Sequence, residues 1–202
     1  MVIVYVMLTG MLVLFGAAVM SLEILASNLM SPYFGGSIYI WGSIISSFMI
    51  HFSAGYVLGG YLCKRTERVY PLVFLLMVAS VWVMFIPQIH PPAGEFVSSR
   101  IEDVRYGSLV AMNIIFFLPV TIMAMVSPYI IGILSLHQRT SGLSAGLVLF
   151  ISTLGSFLGT NATAFYLINL FPVSVIVRGI GAACLIFSCL TLFLGLDRRL
   201  RF

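Results

Sequence analysis

The sequence predicts an all-α integral membrane protein: six transmembrane helices, arranged as two inverted three-helix repeats. Three observations carry this. First, 61% of the 202 residues are hydrophobic and 8% are charged, against about 45–50% and about 25% in soluble domains. So few charges cannot cover a water-soluble fold of this size, and the bilayer must be the solvent for most of it. Second, six apolar stretches are each long enough to cross about 30 Å of hydrocarbon at about 1.5 Å per residue. Third, a punctuation recurs. Ser31-Pro32-Tyr33 is followed by Gly42, Gly55 and Gly59, and Ser127-Pro128-Tyr129 by Gly142, Gly155 and Gly159.

The spans are expected near 2–30, 38–62, 71–88, 107–134, 141–170 and 173–196. The first follows no basic leader and precedes no small-x-small cleavage site, so it is read as an uncleaved anchor. It carries Glu23, and its Ser-Pro-Tyr triplet reads as a break. The second carries Ser46, Ser47 and His51 and ends in Lys64, Arg65 and Arg68. The third is short. It leads into an external loop, 90–106, with Pro91-Pro92 and mixed charges, long enough for a short surface helix over 94–104. The fourth contains Pro119 and Pro128, where kinks are expected. The fifth carries the second glycine set. The sixth holds Cys184 and Cys189, which with Cys63 suggest apolar packing rather than a disulfide or a metal site.

The cations set the orientation. Lys64, Arg65, Arg68, Arg139, Arg198, Arg199 and Arg201 fall on one side. Arg100, Arg105 and Arg178 fall on the other, offset by Glu95, Glu102 and Asp103. The positive-inside rule then places both termini in the cytoplasm, and six spans agree. Trp41, Tyr33 and Tyr39 are expected in the outer aromatic belt.

The repeat units run about 1–90 and 107–196. Three spans per unit turn the second copy upside down, a plan recurrent in secondary transporters, whose sites lie near the repeat interface. Ser, Pro, Tyr and Gly are common at membrane helix ends, so the joint spacing rather than any one mark points to duplication. The glycines Gly42, Gly55, Gly59, Gly142, Gly155 and Gly159 are read as helix-packing positions. Helices two and five are expected to cross on the pseudo-two-fold axis.

Glu23 is the most informative side chain. It stands eight residues before Ser31, roughly 12 Å of helix from the external end. A carboxylate there costs several kcal/mol unless paired or hydrated. Ser46, Ser47, Asn113 and Arg178 reach a similar depth. The expected arrangement is a Glu23–Arg178 ion pair with Asn113 beside it. It reads either as a cation or proton site open to the outer face or as a structural pair that orients the two repeats. His51 reads as a packed histidine bonding across helices, with a proton relay to Glu23 as the alternative. His90 and His137 read as loop residues. No ligand spacing for a metal, no phosphate loop and no nucleophile set is present. Basic residues do not interleave with exposed aromatics, so nucleic acid is not an expected partner. Neither a cofactor nor a catalytic activity is expected.

The stretches MSLEILASNLMSPYFGGSIYIWG, GYVLGGYL, MVSPYIIG and STLGSFLGTNATAFYLI resemble the membrane domain of bacterial spermidine-synthase-like proteins over nearly all of residues 10–195. In full-length relatives that domain precedes a soluble aminopropyltransferase-like domain of Rossmann type, which binds decarboxylated S-adenosylmethionine and a polyamine. The sequence runs to Phe202 without that domain. Glu23 and the glycines match the family's acid and glycines. Asn28 and Gly132 stand where the family often has Arg, so no role of those cations carries over. The resemblance implies a multi-pass module of a bacterial inner membrane. It would bind or pass a small cationic, polyamine-like or amphipathic solute, or anchor a separate synthase chain. The alternative is a non-catalytic accessory subunit of a larger membrane complex. Besides the lipid bilayer, a partner chain or a second copy is the expected contact.

Overall fold

The computed structural model describes residues 2–66, 68–137 and 141–195. Among them there is no strand. The helices are α1 Val2–Phe34, α2 Ile38–Arg65, α3 Tyr70–Ser98, α4 Val104–Ala124, α5 Val126–His137, α6 Ser141–Asn161, the three-residue α7 Ile168–Leu170 and α8 Val173–Phe193. A π-helical segment, Ala162–Leu167, joins α6 to α7. Six stretches of this helix are long and apolar enough to cross a membrane: α1, α2, α3, α4 with α5, α6 through α7, and α8. They are called spans 1 to 6 below.

Several boundaries differ from the sequence reading, each for a local reason. Ser31-Pro32-Tyr33 does not break span 1, which continues to Phe34. Pro32 has no N–H for the Asn28 carbonyl, but the Ser31 hydroxyl donates to that oxygen at 3.2 Å. The helix stops one turn later at Gly35, whose φ of +81° is the left-handed cap that glycine adopts readily. Its N–H donates to the Ser31 carbonyl at 2.9 Å.

Span 3 does not end near Gln88. It runs through Pro87, Pro91 and Pro92 to Ser98, so the separate surface helix expected over 94–104 does not form and the external loop shrinks to 99–103. Membrane helices tolerate prolines where neighbours hold the helix. Here the far end is anchored by the buried Val97 and by Gly94, where an added Cβ would lie 2.6 Å from the Tyr33 ring. His90 is therefore a helix residue, its ring edge-on to Tyr33 at 6.2 Å. The side chain of His137 and residues 138–140 and 196–202, with Arg139 and the C-terminal arginines, lie outside the described residues.

Span 4 passes Pro119 without a break but is interrupted at Met125. Pro128 supplies no N–H to the Ala124 carbonyl, and its ring crowds that oxygen. The Met125 N–H turns back to the Ile122 carbonyl at 3.1 Å. At its start, the Asp103 carboxylate accepts from the Arg105 N–H at 2.9 Å as an N-cap,.

Spans 1 and 4 form the centre, and span 4 is the most buried of the six. Span 5 lies along span 1, span 2 along span 4, and span 3 packs on spans 6 and 4. Lipid tails are as apolar as the side chains, so close packing rather than water exclusion must join such helices. The glycines provide it. An added Cβ at Gly155 or Gly159 would run into the backbone of Val13 or Ala17 on span 1. At Gly55 or Gly59 it would run into Thr121 or Met125 on span 4. Helices two and five therefore do not cross each other, because each uses its glycine face on a central span. Among the described residues nothing lies within 4 Å of an added Cβ at Gly42 or Gly142, and both are exposed, so neither joins two spans of this chain as the other four glycines do.

The two marks of the expected duplication fall out of register. Val13 lies eighteen residues before Ser31, whereas Thr121 lies six before Ser127. Tyr33 packs on span 3, but the buried Tyr129 donates its hydroxyl to the carbonyls of Thr66 and Arg68, holding the loop between spans 2 and 3.

Candidate functional site

Two groups of polar side chains inside the spans bear on the expected site. The first joins spans 2 and 4. Asn113 donates its Nδ2 to the Leu109 carbonyl at 2.8 Å and towards the Ser47 hydroxyl at 3.4 Å, which turns its Oδ1 to His51. That oxygen lies 3.0 Å from His51 Nε2, so Nε2 must carry the proton. His51 is fully buried, between the rings of Phe48 and Phe117 at 5.8 and 5.4 Å. Its Nδ1 has no partner. A doubly protonated ring would leave a second N–H unsatisfied in an aromatic pocket, so this geometry holds a neutral imidazole. One turn further out, Ser108 donates to Ser43 at 2.9 Å.

The second borders a cavity of about 270 Å³ between spans 1, 2, 4 and 5, at the break in span 4. The cavity arises because spans 2 and 5 stand on different central helices and leave a gap. Its apolar floor is Leu12, Phe15, Val19 and Met20, its aromatic wall Phe52 and Tyr56, and its polar side Ser127, Ser152, Thr153 and Ser156. Ser127 donates to the Ser152 hydroxyl at 3.1 Å. Ser156 donates to the carbonyls of Ser152 and Gly16 at 3.1 and 3.3 Å, and Thr153 to the Leu149 carbonyl at 2.8 Å.

Glu23 is not one of the residues that line this cavity, but helical register puts it on the same face of span 1. Taking Leu12 as zero at about 100° per residue, the cavity-lining residues of span 1 fall between about −60° and +80°, and Glu23 at about +20°. It stands one turn beyond Val19 and Met20 on the face they share. It is partly exposed, and among the described residues it has no hydrogen-bond or ion-pair partner.

The expected Glu23–Arg178 pair is therefore absent. Arg178 is exposed on span 6. With the Gln88 amide turned so that its oxygen faces outward, the guanidinium donates to that oxygen at 2.8 Å. Asn113 serves His51, not Glu23. Ser46 is exposed, and its neighbour Ser47 occupies the polar cluster instead. The reason is rotational: one residue turns a helix by about 100°, so depth along the axis does not establish that two groups share a face. The expected binding set Glu23, Ser46, Asn113, Arg178 and His51 thus divides among four places, and only His51 and Asn113 meet. The serine and threonine cluster of spans 4 and 5 was not anticipated. Its sequence signal is Ser127 beside Pro128, hydroxyls next to a proline break.

Span 1 is also tied to span 5 by hydroxyls: Ser21 donates to the Gly159 carbonyl at 3.1 Å and accepts from Thr163 at 2.8 Å. Cys184 is buried, and among the described residues no cluster of metal-ligating side chains occurs.

No protein-family model matches the chain. No curated protein and no solved structure is significantly similar to it.

Proposed function

We propose that this chain is a multi-pass membrane module that binds or passes a small cationic solute in the groove between spans 2 and 5, with Glu23 as its charge contact. The observation that carries the reading is Glu23 itself. It is centred on the face that lines the cavity and has no partner among the described residues. An intramembrane acid without a partner costs several kcal/mol, and a bound cation offsets that cost. A helix broken at membrane depth supports the same reading, because irregular backbone there is tolerated where it is buried or lines a cavity. The resemblance to spermidine-synthase-like membrane domains adds a polyamine-related context, in which the module serves a synthase domain or chain. The reading includes a bacterial inner membrane with both termini in the cytoplasm, supported by Lys64, Arg65 and Arg68 at the end of span 2. It also includes an inverted three-span plan. That is supported by the pairing of spans 1 with 5, 4 with 2, and 3 with 6, with the glycines rather than the Ser-Pro-Tyr triplets as its marks.

The test is amine uptake by proteoliposomes. The native chain should accelerate it, and Glu23→Gln should reduce it at least tenfold. A Glu23→Gln variant with full uptake would end the transport version, and unchanged amine binding would end the binding version.

A second reading, a non-catalytic subunit of a larger membrane complex, is favoured by one feature. Span 3, with Leu185 of span 6, borders an open apolar hollow of about 560 Å³ lined by Met77, Val81, Trp82, Phe85 and Ile89. A stoichiometric partner retained in mild detergent, and lost when Trp82 or Phe85 is replaced by Ala, would support it.

A further inference from the structure

The groove contains enough chemistry to narrow the class of cation, on the reading that Glu23 is the charge contact. We infer that it takes an amphipathic ammonium of single positive charge, a monoamine with an apolar chain, entering sideways from the lipid, rather than a polyvalent polyamine.

Charge is the first argument. The six acids of the chain are Glu23, Glu67, Glu95, Glu102, Asp103 and Asp197. Among the described acids Glu23 stands in the interior of a span, whereas Glu95 lies in the last turn of span 3 and Glu102 and Asp103 in the loop after it. One carboxylate neutralises one ammonium. A second or third ammonium on the same ligand would meet only neutral hydroxyl oxygens on the polar side, or Phe15, Val19, Met20 and Phe52 elsewhere in the cavity, with no second carboxylate to neutralise it, and an unpaired charge there is disfavoured.

Hydrogen-bonding character is the second argument. Ser127, Ser156 and Thr153 already donate their protons to Ser152, Gly16 and Leu149. What these hydroxyls still offer is oxygen lone pairs. Three of the four hydroxyls on the polar side therefore present oxygen lone pairs to N–H groups.

Shape is the third argument. The apolar residues Leu12, Phe15, Val19 and Met20 lead away from Glu23 along one helical face, so an alkyl chain attached to the ammonium has a continuous floor to lie on. Spans 2 and 5 do not close over it. Thr153 in the lining is exposed, as are Ser53 and Phe157, the sequence neighbours of the lining residues Phe52 and Ser156. A ligand that partitions into lipid reaches this opening without crossing water.

Titration calorimetry of the purified full chain in detergent tests the inference, with hexylamine, 1,6-diaminohexane and hexan-1-ol, which share one carbon chain, and the longer triamine spermidine as a fourth probe. Hexylamine should bind at least tenfold more tightly than either polyvalent amine and than the alcohol. Glu23→Gln should remove the advantage of hexylamine over hexan-1-ol, while Glu23→Asp should keep part of it, which separates loss of charge from loss of fold. Tighter binding of diaminohexane or spermidine, lost in Glu23→Gln, would overturn the monoamine inference and leave the cation site standing. Equal binding of all four probes, unchanged in Glu23→Gln, would overturn both.

Discussion

Span 5 against span 1 and span 2 against span 4 are the same joint built twice. In each, two glycines four residues apart sit on backbone of a neighbouring helix, Gly155 and Gly159 on Val13 and Ala17, Gly55 and Gly59 on Thr121 and Met125. The polar content beside the glycines differs. The first joint uses hydroxyls bonded to carbonyls, Ser21 to Gly159 and Ser156 to Gly16. The second uses a buried histidine fixed by an amide, His51 and Asn113. Hydroxyls that donate to carbonyls leave acceptors facing the groove, whereas the His51–Asn113 pair satisfies itself apart from Nδ1. The comparison teaches that the glycines make the scaffold, and that the side chains around them decide what each joint turns towards the cavity between them.

The largest expected effect breaks a joint outright. Gly155→Leu or Gly55→Leu must push two backbones apart, and overpacking of this kind costs about 1–3 kcal/mol or more. Both variants should lower the thermal unfolding midpoint in detergent by comparable amounts. Gly42→Ala and Gly142→Ala, at positions with open space, should stay within about 0.5 kcal/mol of the native chain. If Gly155→Leu melted with the native protein, close backbone contact would not be what holds span 5.

A smaller difference should separate the polar parts. Asn113→Leu leaves the buried His51 N–H without an acceptor, and an unsatisfied buried donor costs about 1–3 kcal/mol. Ser156→Ala removes a hydroxyl donor from carbonyls that keep other acceptor capacity, and interhelical bonds in membranes average about 0.6 kcal/mol. Asn113→Leu should therefore be the more destabilising in thermal melts, and the double change Asn113→Leu with His51→Phe should recover part of the loss. A double variant as unstable as the sum of the two singles would show that His51 and Asn113 are not coupled.

Much of the fold was legible in the sequence because membrane solvation leaves a strong signature: six long apolar runs are six spans. The Pro128 kink, the glycine faces at Gly55, Gly59, Gly155 and Gly159, and the boundaries of spans 2 and 5 followed from residue type alone. The site was less legible. Glu23 stands out because an acid in an apolar helix is anomalous. Its neighbours are not legible from axial depth, because rotation about the axis decides which side chains meet. Ser46 and Ser47 are adjacent in sequence, yet one is exposed and one buried. Proline was over-read in the opposite direction: Pro32, Pro91 and Pro92 stay in helices because a serine hydroxyl or a packed ring does the work of the missing bond.

The smallest effect concerns an asymmetry outside both joints. Span 4 begins with a charged cap, Asp103, whose carboxylate also pairs with the Arg105 guanidinium at 2.8 Å. Hydrogen bonding to Arg105, side chain first and backbone second, with its charge a lesser contribution, holds the Asp103 carboxyl below the usual carboxylate range. A depressed value in the folded state means that the contribution to stability is present above the unfolded value of about 4 and is lost as pH falls through the folded one. Asp103→Asn keeps a side-chain oxygen for the cap and removes the charge. Its melting point should lie slightly below that of the native chain at pH 7, and the two should converge on acidification below about pH 4. The gap at pH 7 should also narrow in high salt, since the pair is exposed and screened. A gap that widened in acid would mean that the charge on Asp103 opposes the start of span 4 rather than supporting it.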